Sequence, residues 1–300
     1  MAKLTIDKIL REGPPKDTRR TKIVATVGPA SSSPATLEAM IKAGANVFRL
    51  NFSHGSYDEH AAVVKNIREV SSKVGQYVSI LQDLSGPKLR ISDVEKHNAN
   101  LVDGATVELR SADGSLSTPK CIYVETVHPA TFVKPGHRIL LADGILVLEA
   151  KSVGKDVVEC TVTKGGMLRS HVGINFPSSE MDLEAVTDKD LKDLAWGIEQ
   201  DVDYVALSFV NNAKEILKVR DEIKRQNGDA KIIAKIERKT SLENIEEILD
   251  VSDGIMIARG DLGLEVSLEK LPVIQKILIE RANYRGLPAI VATQMLQSMV

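Results

Sequence analysis

The feature that most constrains the fold is a repeating unit: a short apolar run, a polar or glycine-rich segment, then an amphipathic helical pattern. Seven of these runs are almost continuously apolar, as expected for parallel strands covered on both faces. They span residues 22–28, 46–55, 78–86, 203–210, 231–237, 254–263 and 288–296. Alternating strands and helices form parallel sheets with right-handed crossovers. The pattern therefore predicts an α/β fold, a TIM (β/α)₈-type barrel with seven of its strands present.

Helix boundaries can be read between the runs. Ser33 is a candidate N-cap, Pro34 suits the first helical position, and Gly44 follows the end of the same helical pattern. Thr187 and Asp190 have the spacing of a capping box. These signals predict helices that begin at residues 34 and 188.

Residues 87–176 interrupt the alternation with short β-patterned pieces separated by Gly, Asp and Pro, and without a convincing helical pattern. The Ala-Asp-Gly sequence at 142–144 is a hairpin signal. The segment is too long for a plain loop in a compact domain. We therefore expect a small antiparallel β-barrel domain at 87–176, inserted into a discontinuous barrel domain formed by 1–86 and 177–300.

Composition excludes several function classes. The 300 residues are 43% hydrophobic and 27% charged with a net charge of −2, so no basic field points to nucleic acid or to an anionic membrane. No apolar run approaches the roughly 20 residues of a membrane span, and the first residues lack the apolar core of a signal peptide. Cys121 and Cys160 match no metal or redox spacing. Free thiols favour the cytoplasm.

Charged and polar residues end several of the runs, where barrel enzymes place their chemistry. Glu237 and Asp261 follow neighbouring strands and predict a Mg²⁺ site on the rim, away from the packed core. Lys235 points the same way as Glu237 because side chains alternate along a strand. An ammonium group there suits negative charge that develops on phosphoryl or enolate oxygens.

Other residues favour an anionic ligand, although each also has a purely structural interpretation. The segment 258–263 carries two glycines and opens a short helix, so its N–H groups could hold a carboxylate or phosphate, or form an ordinary turn. Arg49 and Arg90 suit phosphate oxygens, or surface ion pairs. His54 is the one histidine near these strand ends, or a polar loop residue.

Six segments resemble, in order and spacing, the successive signature blocks of the pyruvate kinase family. They read TKIVATVGPAS, NVFRLNFSHG, QDLSGPKLR, AKIER, GIMIARGDLG and ATQMLQSM. The insertion resembles the lid domain of the family in LADGILVLEA and VTKGGMLRSHVGINFP, so the resemblance covers about residues 21–300. It implies phosphoryl transfer between phosphoenolpyruvate and ADP, giving pyruvate and ATP, as the last step of glycolysis. It also implies a Mg²⁺ or Mn²⁺ cofactor, a cytoplasmic enzyme and, for full-length relatives, a homotetramer.

The resemblance also implies residue roles. Catalytic roles fall on Lys235, Arg49, Arg90 and Thr293. Substrate contacts fall on Ala258, Arg259, Gly260, Asp261 and Thr293. Metal ligation falls on Glu237 and Asp261. Nucleotide contacts fall on Pro29, Asn51, His54 and Arg90. A monovalent cation would lie at Asn51, Ser53 and Asp83.

The chain departs from the family pattern in three places. Val172 stands where the family usually has a lysine that contacts nucleotide phosphate. Leu84 and Lys88 stand where many members have threonine and glutamate. We expect the Lys88 ammonium, paired with Asp83, to replace the monovalent cation, so that K⁺ is not required. The sequence ends soon after the seventh strand, without the eighth unit or the C-terminal regulatory domain of the family.

Two alternatives stay open at this stage. A Mg²⁺-dependent keto-acid lyase could use the same pair of rim carboxylates, although it would not explain the insertion. A fragmentary or non-catalytic chain could bind substrate without turnover.

Overall fold

The computed structural model of the protein describes residues 20–179 and 184–293. The strands are β1 (Ile23–Thr26), β2 (Ala45–Asn51), β3 (Ser79–Asp83), β4 (Asn98–Leu101), β5 (Thr106–Ser111), β6 (Cys121–Val124), β7 (Arg138–Leu141), β8 (Leu146–Val153), β9 (Val158–Lys164), β10 (Gly166–Arg169), β11 (Ile174–Asn175), β12 (Tyr204–Leu207), β13 (Lys231–Ile236), β14 (Gly254–Ala258) and β15 (Ala289–Ala292). The helices are α1 (Pro34–Ala43), α2 (Tyr57–Val74), α3 (Asp188–Glu199), α4 (Ala213–Arg225), α5 (Lys239–Glu243), α6 (Ile245–Val251), α7 (Arg259–Glu265) and α8 (Leu271–Tyr284). Two short 3₁₀ turns lie at Glu95–His97 and Pro129–Thr131.

Seven parallel strands form the larger sheet in the order β1-β2-β3-β12-β13-β14-β15, which confirms the predicted barrel strands. The sheet curves into a nearly closed barrel because its inward side chains share a small core of their own, built on Leu81, Ala206, Ile233 and Met256. The outward side chains pack against the helices in a second, larger core. All seven strands therefore end at the same rim.

The predicted helix signals are confirmed. Ser33 caps α1 by accepting a hydrogen bond from the Thr36 N–H, and Gly44 ends the helix at a φ of 105° that suits glycine. Thr187 and Asp190 form the capping box of α3. No helix in residues 20–179 and 184–293 is long and apolar enough to cross a membrane.

The inserted region forms a six-stranded sheet in the order β11-β7-β8-β9-β5-β6, beside the β4–β10 pair. Four of its five pairings are antiparallel, as expected, but β5 and β6 are parallel. This difference arises because the segment 112–120 runs back along the sheet before β6 begins, instead of turning as a hairpin. The segment 89–92 joins the two outer strands, since Arg90 bridges to Gly173 and Ile91 bridges to Val124.

A separate apolar core fills this second sheet, and no barrel residue belongs to it. It runs from Leu89 to Phe176 in the chain. This separation supports the predicted inserted domain at 87–176, whose boundaries stay a prediction. The hairpin predicted at 142–144 is confirmed as the turn between β7 and β8.

Candidate active site

A buried ionic network lies at the rim of the barrel. The Lys235 Nζ lies 3.1 Å from Asp83 Oδ1 and 3.1 Å from Glu237 Oε1, and donates a 2.7 Å hydrogen bond to Ser208 Oγ. The side chains of Asp83 and Glu237 are 1% exposed, and that of Lys235 is 11% exposed. One ammonium group thus forms ion pairs with two almost completely buried carboxylates.

Arg49 extends the network to the first strands. Its Nε donates to Asp83 Oδ2 at 2.6 Å, and its terminal nitrogen donates to Thr26 Oγ1 at 3.0 Å. The other oxygen of Asp83 makes no well-aligned hydrogen bond and depends on the ion pair with Lys235. The network therefore joins residues from β1, β2, β3 and β13, and its geometry depends on the barrel register.

Burial and charge act against each other in this network. Burial disfavours the ammonium of Lys235, but Glu237 and Asp83 outweigh burial and raise its pKa. Burial raises the pKa of Glu237, and Asp261 and Asp83 raise it further, while Lys235 and the Phe209 N–H counteract them. Lys235 thus stays charged at neutral pH, and Glu237 lies where an additional cation would be stabilising.

Glu237 and Asp261 differ in their surroundings, which corrects one expectation. Glu237 was expected on the rim away from packing, but it is buried, and its Oε2 accepts a 2.8 Å hydrogen bond from the Phe209 N–H. The reason is that β13 is covered by its neighbours up to its last residues, all of which are buried. Asp261 is on the rim as expected, with its side chain 27% exposed.

The two carboxylates are chemically suited to Mg²⁺. In the described part of the chain, no group of three or more His, Cys, Asp or Glu side chains is arranged to hold a metal ion. Mg²⁺ in phosphoryl-transfer sites usually takes one or two carboxylates and completes its octahedron with water and substrate oxygens. Burial and, after it, the neighbouring carboxylates raise the pKa of Glu237, so a cation at this position would be stabilising and Glu237 fits such a ligand.

The segment after β14 brings backbone donors to the same rim. The Gly260 N–H donates to Thr293 Oγ1 at 3.0 Å, which joins the ends of β14 and β15. The Arg259 guanidinium donates to the carbonyl groups of Ala292, at 3.2 Å, and Thr293. The Arg259 side chain thus holds the end of β15, and the Gly260 N–H is directed at the Thr293 hydroxyl. Gln294, at the end of the same strand in the sequence, lies outside the described residues.

Arg90 is held by the inserted domain. Its guanidinium donates to the His171 carbonyl at 2.8 Å, and its backbone bridges to Gly173. The structure thus joins Arg49, but not Arg90, to the buried network.

The remaining predicted nucleotide and cation residues lie in loops after β1 and β2. Pro29 is exposed. Asn51 Oδ1 accepts a 3.2 Å hydrogen bond from the Ser53 N–H, and the His54 carbonyl contacts the His60 ring at 2.9 Å. These contacts are local, and the roles predicted for these residues stay predictions.

The partners of Lys88 differ from the expectation. Its Nζ lies 3.7 Å from Asp261 Oδ1 and 3.8 Å from Asp143 Oδ1. Asp83, which we expected to pair with Lys88, instead contacts Arg49 and Lys235. The reason is that β3 ends before the Gly-Pro turn, so Asp83 faces the barrel rim while Lys88 already belongs to the connection into the inserted domain.

Sequence reasoning missed Ser208 and Phe209. Ser208 Oγ accepts from Lys235 and donates to the Leu84 carbonyl at 2.6 Å, and the Phe209 N–H contacts Glu237. The signal in the sequence that could have indicated Ser208 is its place as a small polar residue near the end of the fourth apolar run. Val172, the other departure from the family, packs against the core of the inserted domain.

A cleft of about 680 Å³ lies between the two sheets and leads to this network. Glu237, Asp261 and Lys88 line it together with Arg238 and Phe176. The Arg238 guanidinium lies 5.3 Å from the centre of the Phe209 ring. The cleft thus opens onto both proposed metal ligands.

Comparison with known proteins agrees with this geometry. The family model described as "Pyruvate kinase, barrel domain" matches residues 18–300. The pyruvate kinase of Thermococcus litoralis is 44% identical over 282 residues, covering 93% of this chain and 59% of that protein. The pyruvate kinase of Bacillus licheniformis and pyruvate kinase 2 of a Synechocystis strain are each 43% identical, covering 94% of this chain and 48% of the relative. The chain thus spans about half the length of the curated relatives it matches. The match to the family model, the (β/α) barrel and the order of the signature segments together establish that the chain belongs to the pyruvate kinase family.

Proposed function

We propose that this chain catalyses phosphoryl transfer between phosphoenolpyruvate and ADP, giving pyruvate and ATP. The observation that carries the proposal is the position of Lys235, whose charged Nζ lies between Asp83 and Glu237 beside the cleft. Phosphoryl transfer depends mainly on positioning and on stabilising charge that develops on the transferred oxygens. A buried and permanently charged ammonium suits that task, and membership of the pyruvate kinase family supports it.

Each rim residue has a proposed part in binding. Glu237 and Asp261 would hold Mg²⁺, which when bound neutralises charge on phosphoryl and enolate oxygens. The backbone at Ala258, Arg259 and Gly260 would hold the substrate carboxylate, and Thr293 would lie at the face of the enolate that is protonated. The contact between Gly260 N–H and Thr293 Oγ1 keeps this donor and this hydroxyl together.

The phosphate and nucleotide contacts are proposals of the same kind. Arg49 would contact phosphate from the floor of the site, where Asp83 and Thr26 fix its guanidinium. Pro29, Asn51, His54 and Arg90 would contact the nucleotide. Arg90 belongs to the inserted domain, which would close over the rim and exclude water from the transfer.

The finer attributes stay predictions. K⁺ independence stays a prediction from Leu84 and Lys88, although Lys88 Nζ lies beside Asp261 and Asp143 and not beside Asp83. The proposed cation position comprises Asn51, Ser53 and Asp83. A cytoplasmic location is favoured by the two free cysteines. A homotetramer is expected of the full-length enzyme only.

The test is pyruvate formation from phosphoenolpyruvate, ADP and MgCl₂ by the parent chain, Glu237→Gln and Asp261→Asn. We expect turnover by the parent and a loss of at least about 100-fold in each variant, because each removes a metal-ligand charge. Glu69→Gln is the matched control, since Glu69 is exposed on α2 and its partner Lys65 is 3.9 Å away. Equal turnover in all four proteins would remove both carboxylates from the site. Calorimetric binding of phosphoenolpyruvate by a parent chain without turnover would favour the binding-only alternative.

A further inference from the structure

Lys88 is shared by two carboxylates that belong to different parts of the fold. Asp261 lies on the barrel rim at the start of α7, and Asp143 lies in the turn between β7 and β8 of the inserted domain. The Lys88 Nζ is almost equidistant from them, at 3.7 Å and 3.8 Å. Lys88 itself lies at the beginning of the region 87–176, soon after β3. Its ammonium group therefore contacts both the β7–β8 turn of that region and the barrel rim.

The surrounding backbone favours this arrangement. Asp143 has a φ of 54°, between Ala142 and Gly144 with φ of 50° and 80°, which makes the hairpin turn tightly. A Cβ on Gly144 would lie 3.2 Å from Leu264 Cδ2, so the tip of the hairpin lies against α7. A Cβ on Gly173 would lie 3.1 Å from Lys88 Cε, so the glycine leaves room for the Lys88 side chain to reach both carboxylates.

The ammonium of Lys88 and a divalent cation would compete for Asp261. A dication at Glu237 and Asp261 would repel an ammonium group 3.7 Å from Asp261 Oδ1. Asp143 offers Lys88 a second partner that is already within 4 Å. The exchange would need only a small movement of a flexible side chain.

We propose that Asp143 is a positioning residue that accepts Lys88 when a divalent cation binds Asp261. The inference rests on the metal site in the proposed function. Lys88 and Asp143 then have opposite effects on metal affinity, although they are partners in one ion pair. Lys88 weakens metal binding by competing for Asp261, and Asp143 strengthens it by withdrawing the competitor.

The test measures Mn²⁺ binding by electron paramagnetic resonance of the free ion, without substrate or nucleotide. Lys88→Met is expected to bind Mn²⁺ about five-fold more tightly, that is about 1 kcal/mol, since about a third of the lysine is exposed and its charge is partly screened. Asp143→Asn is expected to bind about two- to three-fold more weakly, because the carboxylate is 73% exposed. In a Lys88→Met background, Asp143→Asn should change the affinity by less than about 1.5-fold.

Lys151→Met is the matched control. It removes one positive charge from the same six-stranded sheet, where Lys151 Nζ on β8 lies 3.3 Å from Glu159 Oε1 on β9, and it should change the affinity by less than about 1.5-fold. Circular dichroism establishes that each variant is folded.

Loss of the metal site and loss of the role of Asp143 give different binding results. If Asp261→Asn binds Mn²⁺ like the parent, the proposed metal site is wrong and the inference fails with it. If Asp261→Asn loses binding while Lys88→Met binds like the parent, the metal site stands and only the inference is wrong. If Asp143→Asn weakens Mn²⁺ binding equally in the parent and in the Lys88→Met background, the inference is also wrong, because Asp143 would then act on the metal directly through its charge and not through Lys88.

Discussion

Lys235→Met should destabilise the protein as well as impair catalysis. Methionine matches the length of lysine but leaves Glu237 buried with only the Phe209 N–H, while Asp83 keeps Arg49. Removing one partner of a buried ion pair costs about 3–5 kcal/mol. An unfolding entropy of about 2.1 cal/mol/K per residue gives about 0.6 kcal/mol/K for 300 residues. The melting temperature at pH 7.5 should therefore fall by roughly 5–8 °C.

The loss should depend on pH. The pKa of Glu237 is raised by burial even beside Lys235, and it should rise further once the ammonium is gone. A carboxyl whose pKa is higher in the folded than in the unfolded protein destabilises the fold increasingly as the pH rises from the unfolded to the folded pKa, because only the unfolded protein gives up the proton readily in that range. The cost is therefore complete above the folded pKa and disappears as the pH falls to the unfolded value. The difference in melting temperature between parent and variant should narrow between pH 7.5 and pH 5.

Differential scanning calorimetry of three variants measures this. Lys235→Met combined with Glu237→Gln should recover most of the lost stability, because glutamine can still accept the Phe209 N–H without a buried charge. Lys65→Met is the control, since Lys65 is 74% exposed beside Glu69, and it should shift the melting temperature by less than about 1 °C. A melting temperature of Lys235→Met within about 2 °C of the parent at pH 7.5, or a loss that does not change with pH, would refute the reasoning.

Two further predictions concern the monovalent cation and the inserted domain. Activity of the parent in a buffer whose only monovalent cation is a bulky quaternary ammonium should equal its activity with KCl, and strong activation by KCl would contradict the prediction. Lys88→Glu should lower activity more without K⁺ than with K⁺. Leu84→Thr combined with Lys88→Glu should create a dependence on K⁺. Replacing residues 87–176 by a short glycine-serine linker should leave the barrel folded, because the core of this region is separate from the barrel cores. Calorimetry should still detect phosphoenolpyruvate binding, but transfer to ADP should be lost. Full kinase activity of the deletion variant would rule out a role of the region in closure.

The barrel could be predicted from the sequence because its signals are local. Nearly continuous apolar runs, the Ser33 cap and the Thr187–Asp190 capping box depend on residues within a few positions of each other, and each lies where it was expected. The placing of Lys235 and Glu237 on one side of β13 also follows from the two-residue period of a strand. This shared side is the part of the site that the sequence alone could locate, whereas the ion pair between the two residues became visible in the structure.

The partners of these residues depended on tertiary structure. Ser208 and Asp83 reach Lys235 only because the register sets β3, β12 and β13 side by side. The burial of Glu237 likewise results from neighbouring strands.

Lys88 illustrates the same limit most clearly. Five positions separate it from Asp83 in the sequence, yet its ammonium contacts Asp143 and Asp261, which are 55 and 173 positions away. The sequence alone determined that a cation lies at the entrance to the inserted domain. Only the packing of the β7–β8 turn against the barrel rim decided which carboxylates the cation meets, because the pairing energy of a charge depends on distance in space and on solvent exclusion.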